Sequence, residues 1–245
     1  MAESEQRHWW FTGRRAILSA LLRRELGRSS IRAGTSSPAG PVRILEAGCG
    51  SGGNLGMLSA FGEIDAVEFD AGARAMAAQR SGLTILPCVL PYDLPVPDRA
   101  YDLIALLDVL EHVEEDRACL AALGGKLKPQ GRILVTVPAL PWLWSHHDTL
   151  HHHKRRYTRR TLAGAIAGAG LRVDRIGYFN SLLFPLALVR RLSAIASGRP
   201  AEDDRVPARP INAVLRSIFT AERYVIGRVR MAIGLSLFAL VTLPE

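Results

Sequence analysis

Glu46 and the glycines that follow it are the first residues in this chain whose types and spacing suggest chemistry. They lie in residues 42–54, VRILEAGCGSGGN. Val42, Ile44 and Leu45 form a short β-prone run that Glu46 interrupts. Gly48, Gly50, Gly52 and Gly53 come next, and a helix is expected from Asn54. A strand that turns through glycines into a helix is how open α/β sheets hold a nucleotide. The glycines permit a tight turn and close backbone approach, and the amides at the helix start face the ligand. Gly48, Gly50 and Gly53 fit GxGxxG, which alone also describes a turn without a ligand. Glu46 adds information, because a carboxylate at the strand tip suits a cationic ligand and serves no purpose beside a pyrophosphate.

Two more acids stand where strands should end. Glu68 closes Ala66-Val67-Glu68 about twenty residues beyond the glycines, the position that grips ribose hydroxyls. Asp70 then serves as the N-cap of the next helix. Asp108 ends the apolar run 101–109, with Glu111 and His112 just beyond it.

Residues 141–160, PWLWSHHDTLHHHKRRYTRR, hold five of the seven histidines. Three roles compete there. Histidine titrates near neutrality and suits acid–base work, which makes His147 and His152 rivals of His112 as catalytic residues. Lys154, Arg155, Arg156 and Arg160, with Tyr157 beside them, form a phosphate-sized basic cluster; with His146 and Asp148 they make a candidate substrate loop. His147, Asp148 and His152 could converge on a metal, but no familiar zinc or iron spacing is present and no metal is assigned. The plain alternative for each is a solvated polar loop.

These groups need a frame. The chain has 245 residues, enough for one large α/β domain or a domain with a cap. Net charge is +8, unevenly spread. Residues 1–150 hold 15 Lys and Arg against 17 Asp and Glu, whereas residues 151–245 hold 16 against 6. The back third therefore faces something anionic or wears a solvated basic surface. Cys49, Cys88 and Cys119 are scattered, which fits a reducing cytoplasmic setting. No signal peptide and no run of 18 apolar residues is visible.

In order, residues 7–26 read as an aromatic entry (Trp9, Trp10, Phe11) and an amphipathic helix, and 27–41 as a loop. Strands are expected at 42–46, 64–69, 83–88, 101–109, 131–138 and 171–178, with helices at 54–61, after Asp70, at 114–128 and at 161–170. The continuous apolar run of the fourth strand marks the centre of a parallel sheet. The last strand is placed at 236–243, so residues 181–232 become a helical insertion. Its two helices are 182–195 and 211–229, joined by a polar linker at 197–209. Ile211, Val214, Leu215, Ile218, Val225, Ile226 and Val229 share one face of the second. Glu222 falls on that face, where it should pair with an arginine or look into the substrate cavity. The division is 1–41 flap, helix and loop; 42–180 core; 181–232 insertion; 233–245 final strand.

Glu46–Gly52, Glu68, the loop before Tyr101-Asp102, and Asp108-Val-Leu-Glu-His-Val113 together resemble the class I methyltransferases that use S-adenosyl-L-methionine (SAM). The nearest kind is methyltransferase type 11/12, similar to the ubiquinone-biosynthesis O-methyltransferases. The likeness covers residues 43–140. It implies a Rossmann-like, doubly wound seven-stranded sheet with an antiparallel last strand. SAM would cross the carboxyl ends of the first and fourth strands. Gly48 and Asp108 would flank the methionine amino end, with Glu46, Cys49, Gly50, Gly52, Asn54 and Val109 around them. Glu68 would hold the ribose and Cys88–Leu90 would lie by the adenine, with Phe69 placed by its position to line the adenine face. From the residues themselves, Trp9, Trp10 and Phe11 are either a core plug or a flap that closes over the cofactor, with Arg14 or Arg15 reaching the methionine carboxylate and Trp10 a candidate acceptor contact. His112 would lie near the transferred methyl. A departure is Cys88, where many relatives carry an acid or amide.

The expected function is methyl transfer to oxygen or carbon of a small or lipid-like, anionic acceptor. The insertion is a lid, a homodimer face, or an apolar-and-arginine patch lying on the inner membrane surface. The rivals are a SAM- or nucleotide-binding module without catalysis, and a nucleic-acid methyltransferase using the basic third. Absence of Asn-Pro-Pro-Tyr after the fourth strand disfavours base N-methylation.

Overall fold

A computed structural model of the chain describes residues 4–28, 41–197 and 206–244. The elements are α1 (Ser4–Arg7), α2 (Trp9–Arg28), β1 (Arg43–Ala47), α3 (Leu55–Leu58), β2 (Glu63–Glu68), α4 (Ala71–Ser81), β3 (Ile85–Pro87), β4 (Tyr101–Leu107), α5 (Asp116–Gly124), β5 (Leu127–Pro138), α6 (His146–Leu150), α7 (Arg159–Gly168), β6 (Arg172–Phe179), α8 (Phe184–Ser197), α9 (Arg209–Ala221) and β7 (Ser236–Thr242). The seven strands run in the order β3-β2-β1-β4-β5-β7-β6. β1 to β5 pair in parallel, and β7 is antiparallel to both neighbours. The strand order reverses between β1 and β4, the crevice where ligands bind in open α/β sheets.

The sheet is buried on both faces, which explains the continuous apolar strands. Leu45, Ile104, Ile133, Val135 and Val241 point to the side covered by α5 and α7, through Leu120, Leu123, Leu162 and Ile166. Their neighbours Ile44, Leu103, Leu134, Phe238 and Leu240 point to the side covered by α2 and α9. Ile17, Leu18, Leu21, Leu22 and Leu26 of α2 are each at most 1% exposed. Burying them contributes about 1.5–3 kcal/mol per side chain, an upper figure because the unfolded chain is already partly collapsed.

The insertion between β6 and β7 is anchored on the N-terminal helix. Phe219 of α9 is fully buried, stacks on Phe179 and meets Trp9 edge-on at 5.6 Å. Asn212 accepts from the Trp9 amide at 2.8 Å and donates to the Arg7 carbonyl at 2.8 Å. Glu222 is buried and, among the described residues, pairs with no arginine. Its carboxylate accepts from the backbone amides of Asn180, Ser181 and Leu182 at 2.6–2.8 Å, fixing the chain as it leaves β6. That is how a buried carboxylate on an apolar face is accommodated.

Several expected elements differ in extent. The helix after the glycines covers only Leu55–Leu58. α9 ends at Ala221 and tightens into a 3-10 turn, Glu222–Tyr224, instead of reaching Val229. Its apolar face is split: Leu215 and Phe219 pack inward, while Ile211, Val214 and Ile218 stay exposed. Most of the two expected loops, 29–40 and 198–205, lies outside the described residues. Among the described residues no helix is long and apolar enough to cross a membrane.

Candidate active site

The site is built from the carboxyl ends of β1, β2 and β4. After Ala47 the chain turns through Gly48, Gly50 and Gly52, all at positive φ. A Cβ on Gly48 would sit 2.7 Å from Val109 Cγ2, so the turn is closed against the exit of β4. A Cβ on Gly50 would meet nothing within 4 Å, so the turn is open on that side. Glu68 stands over the opening. It accepts from the Gly50 amide at 2.8 Å through Oε2 and from the Asp70 amide at 2.9 Å through Oε1. Those two bonds leave acceptor capacity for vicinal hydroxyls, since a carboxylate offers about four lone-pair sites. Asp70 caps α4 by accepting from Ala73.

Glu46 is buried beneath the turn and accepts from Asn54 Nδ2 at 2.9 Å. Cys49 is buried too; burial first, then the Glu46 and Glu68 charges, push its thiol up to about 12. Phe69 is 71% exposed at the tip of β2. Leu90 is half-buried and Cys88 buried at the end of β3.

Arg14 enters this edge from α2. It is 4% exposed, and its guanidinium lies over the half-buried Trp10 ring at 5.2 Å. Nη2 donates to Thr136 Oγ1 at 3.1 Å and sits 2.7 Å from Asp108 Oδ2, a charge contact without hydrogen-bond alignment. Thr136 in turn donates to Asp108 Oδ1 at 3.0 Å. Buried Arg14 Nε and Asp108 Oδ2 take no hydrogen bond, so a donor and an acceptor are left at the crevice. This pair fits the two charged ends of an amino acid, and the set matches SAM: an acid for the ribose and a cation and an anion for the methionine end.

Beyond Asp108 the chain makes a 3-10 turn, Leu110–His112. Glu111 is 1% exposed; burial and the Asp108 charge push its carboxyl up, against its own backbone amide, Arg14 and Arg156. His112 keeps over a third of its surface exposed, yet desolvation and then the neighbouring His153 push it down to about 4. It is therefore a neutral imidazole at physiological pH.

The histidine–arginine loop folds back onto this turn. His152 adopts φ +57°, and the next residue, His153, meets His112 edge-on with ring centroids 4.8 Å apart. Asp148 is fully buried and gathers the loop. It accepts from the Ser145 amide and hydroxyl at 2.7 and 2.9 Å, contacts His153 Nδ1 at 2.9 Å, and accepts from Arg156 Nε at 2.7 Å. Burial alone would raise its pKa, but these bonds and the Arg156 charge hold it well below the usual carboxylate range.

The other loop residues are largely committed. Lys154 lies 3.6 Å from Glu114, and Arg155 reaches Glu114 and Asp116. Tyr157 is buried and donates to Asp116 at 2.9 Å, its phenol pushed up by burial and that charge. Lys154 and Arg155 thus tie the loop to the start of α5, Arg156 ties it to Asp148, and Arg160 is exposed. His146 and His152 are exposed, and the His147 side chain lies outside the described residues. A groove of about 490 Å³ between α2 and the glycine turn is lined by Arg15, Ser19, Gly53, Met57 and Arg80 among others; neither Glu68, Asp108 nor any histidine lines it. Sequence reasoning missed His153 and the Asp148–Arg156 pair. The one available signal was an acid five and eight residues ahead of a histidine and an arginine.

The fold is that of the class I SAM-dependent methyltransferases. A family model described as a methyltransferase domain matches residues 11–176, and the chain belongs to that family. The cofactor is SAM. The match does not single out the ubiquinone-biosynthesis branch. An uncharacterized protein of a Synechococcus strain is 36% identical over 115 residues, 43% of this chain. The chain spans only 28% of that relative's length. Among solved structures, the [4+2]-cyclase SpnF has a TM-score of 0.57 at 20% identity, covering 94% of this chain and 81% of that one. A SAM-dependent methyltransferase from Archaeoglobus fulgidus has a TM-score of 0.54 at 18% identity, covering 93% of each chain. At these identities both likenesses establish the fold alone.

Proposed function

We propose that this methyltransferase alkylates an oxygen or carbon of a small or lipid-like acceptor with an anionic group. SAM, when bound, supplies a methyl group on an electron-poor sulfur. The chain's own residues do the rest. Glu68 clasps the ribose, Arg14 and Asp108 take the carboxylate and ammonium of the methionine end, and the Gly48–Gly52 turn keeps the backbone close. Alignment of donor and acceptor is the main catalytic contribution. An acceptor hydroxyl must also lose a proton; in this reading His112 takes it, the Asp108 charge steadying the imidazolium that forms against the burial that lowers its basicity.

The observation that carries the lipid-like part is the apolar surface of the insertion. Leu182, Leu186 and Val189 around α8, and Ile211, Val214 and Ile218 on α9, are 39–60% exposed. Trp142, 61% exposed, meets Phe184 edge-on, so this surface continues to the loop before α6. Such a surface suits an acyl or isoprenoid chain, or the inner membrane face beneath an acceptor held there. Domain boundaries near 41, 180 and 232 follow from the same view, with the insertion acting as a lid.

The test is methyl transfer from labelled SAM to a lipid extract, a panel of small phenols and RNA. Label in the organic phase of the lipid extract supports the proposal. Label in RNA alone would assign the basic third to nucleic acid, and no label anywhere, with SAM bound, would favour a binding module. Flotation with anionic and neutral liposomes tests the surface; failure on both removes the membrane role.

A further inference from the structure

We propose that Glu111, His112 and His153 form a binding site for one divalent transition-metal cation at the acceptor side of the crevice. One ligand atom from each of the three lies within 4.8 Å of the other two. Ligands of a tetrahedral site with bonds of 2.0–2.1 Å stand about 3.4 Å apart, so modest side-chain rotations close the set. His112 is exposed and has room to make them.

Two independent features point to a cation here. The first is Glu111 itself: it is 1% exposed, and its Oε2 has no hydrogen-bond partner. A buried carboxylate oxygen without a partner is costly, and a bound cation is a standard remedy. The second is the grip on His153. Its Nδ1 lies 2.9 Å from buried Asp148, the carboxylate–imidazole arrangement that orients a metal-ligating histidine and sets its tautomer. Nε2 is then the ligand nitrogen.

Two imidazoles and one carboxylate suit zinc, cobalt, iron or manganese; magnesium prefers an all-oxygen octahedron. Three protein ligands leave a fourth position for an acceptor hydroxyl or carboxylate. That role in acceptor binding rests on the methyl-transfer proposal, whereas cation binding does not. With the cation bound, His112 is a ligand and no longer a base.

The test uses the full, untagged chain stripped with a chelator and titrated with Co²⁺, followed by its visible d–d bands and by equilibrium dialysis. One Co²⁺ per chain is expected, displaced by Zn²⁺ and not by Mg²⁺. His112→Ala and His153→Ala should each weaken binding at least about 100-fold, and Asp148→Asn about 10–100-fold. His146→Ala and His152→Ala should change it less than threefold. Glu111→Gln should abolish it; if that variant fails to fold, exposed His112 carries the decision. Binding that follows His146 or His152, or no stoichiometric binding, overturns the site. SAM is titrated into the same stripped protein: SAM binding without Co²⁺ binding removes only the cation site, and the reverse removes only the methyltransferase assignment.

Discussion

Replacing Arg14 with alanine probes the joint between the N-terminal helix and the crevice. Arg14 is nearly enclosed, with 5% of its side chain exposed, and Asp108 keeps 23%. Removing one partner of a fully buried pair costs about 3–5 kcal/mol, because the other charge is stranded. Solvent reaching Asp108 screens part of that, so about 2–3 kcal/mol is expected. For a chain of this size the melting temperature should fall by about 4–12 °C. Asp108→Asn removes the charge that Arg14 balances. The double variant should lose less than the sum of the two singles, with a coupling of about 2 kcal/mol. Urea denaturation followed by tryptophan fluorescence reads all four proteins, with Trp10 against the guanidinium as a local reporter. A coupling below about 0.5 kcal/mol would refute the pairing. The stabilisation that SAM confers should also shrink in Arg14→Ala, since a ligand that binds only the folded state raises its stability. A full SAM shift in that variant would remove Arg14 from the cofactor site.

Further outcomes follow from other contacts. Gly13→Ala gains helix propensity but places a Cβ 2.5 Å from Phe219 Cδ1. Overpacking should win by about 1–2 kcal/mol in denaturant midpoint and should loosen α9 from α2 first, seen as faster amide exchange at 209–221. Glu222→Ala strands three backbone amides and should cost about 2–3 kcal/mol by denaturation; no loss would show that solvent satisfies them. Cys49 and Cys88, pushed up to about 12 and about 11 from an ordinary 9.0, stay protonated where an unfolded thiol has ionised. At pH 8 the Cys49 thiolate fraction drops from about one in ten to about one in ten thousand. Native alkylation should therefore be slow at pH 8 and climb past pH 10 without levelling; rapid labelling at pH 8 would contradict the burial.

The parts of this site that were legible in the sequence are those set by local backbone. A strand tip followed by glycines, and acids at the ends of Ala66–Glu68 and Leu106–Asp108, are fixed by chain direction and pleat. Contacts made by turns were not legible. His153 reaches His112 only because His152 takes a left-handed conformation, and nothing in a run of three histidines says which one turns inward. The basic letters at 154–156 looked available for phosphate, but Glu114, Asp116 and Asp148 claim them from elements that periodicity alone does not bring near. The apolar stripe on α9 showed amphipathicity correctly, yet Gly13 and the α2 surface decide that only Leu215 and Phe219 are covered.

Calorimetric titration of SAM into the wild type, Glu68→Ala and Lys154→Ala decides whether the cofactor sits at the strand tips. One site is expected, weakened at least about tenfold by Glu68→Ala through loss of its charge-assisted hydrogen bonds and unchanged by Lys154→Ala. No heat with SAM or its demethylated product, together with uptake of a nicotinamide coenzyme, would contradict it.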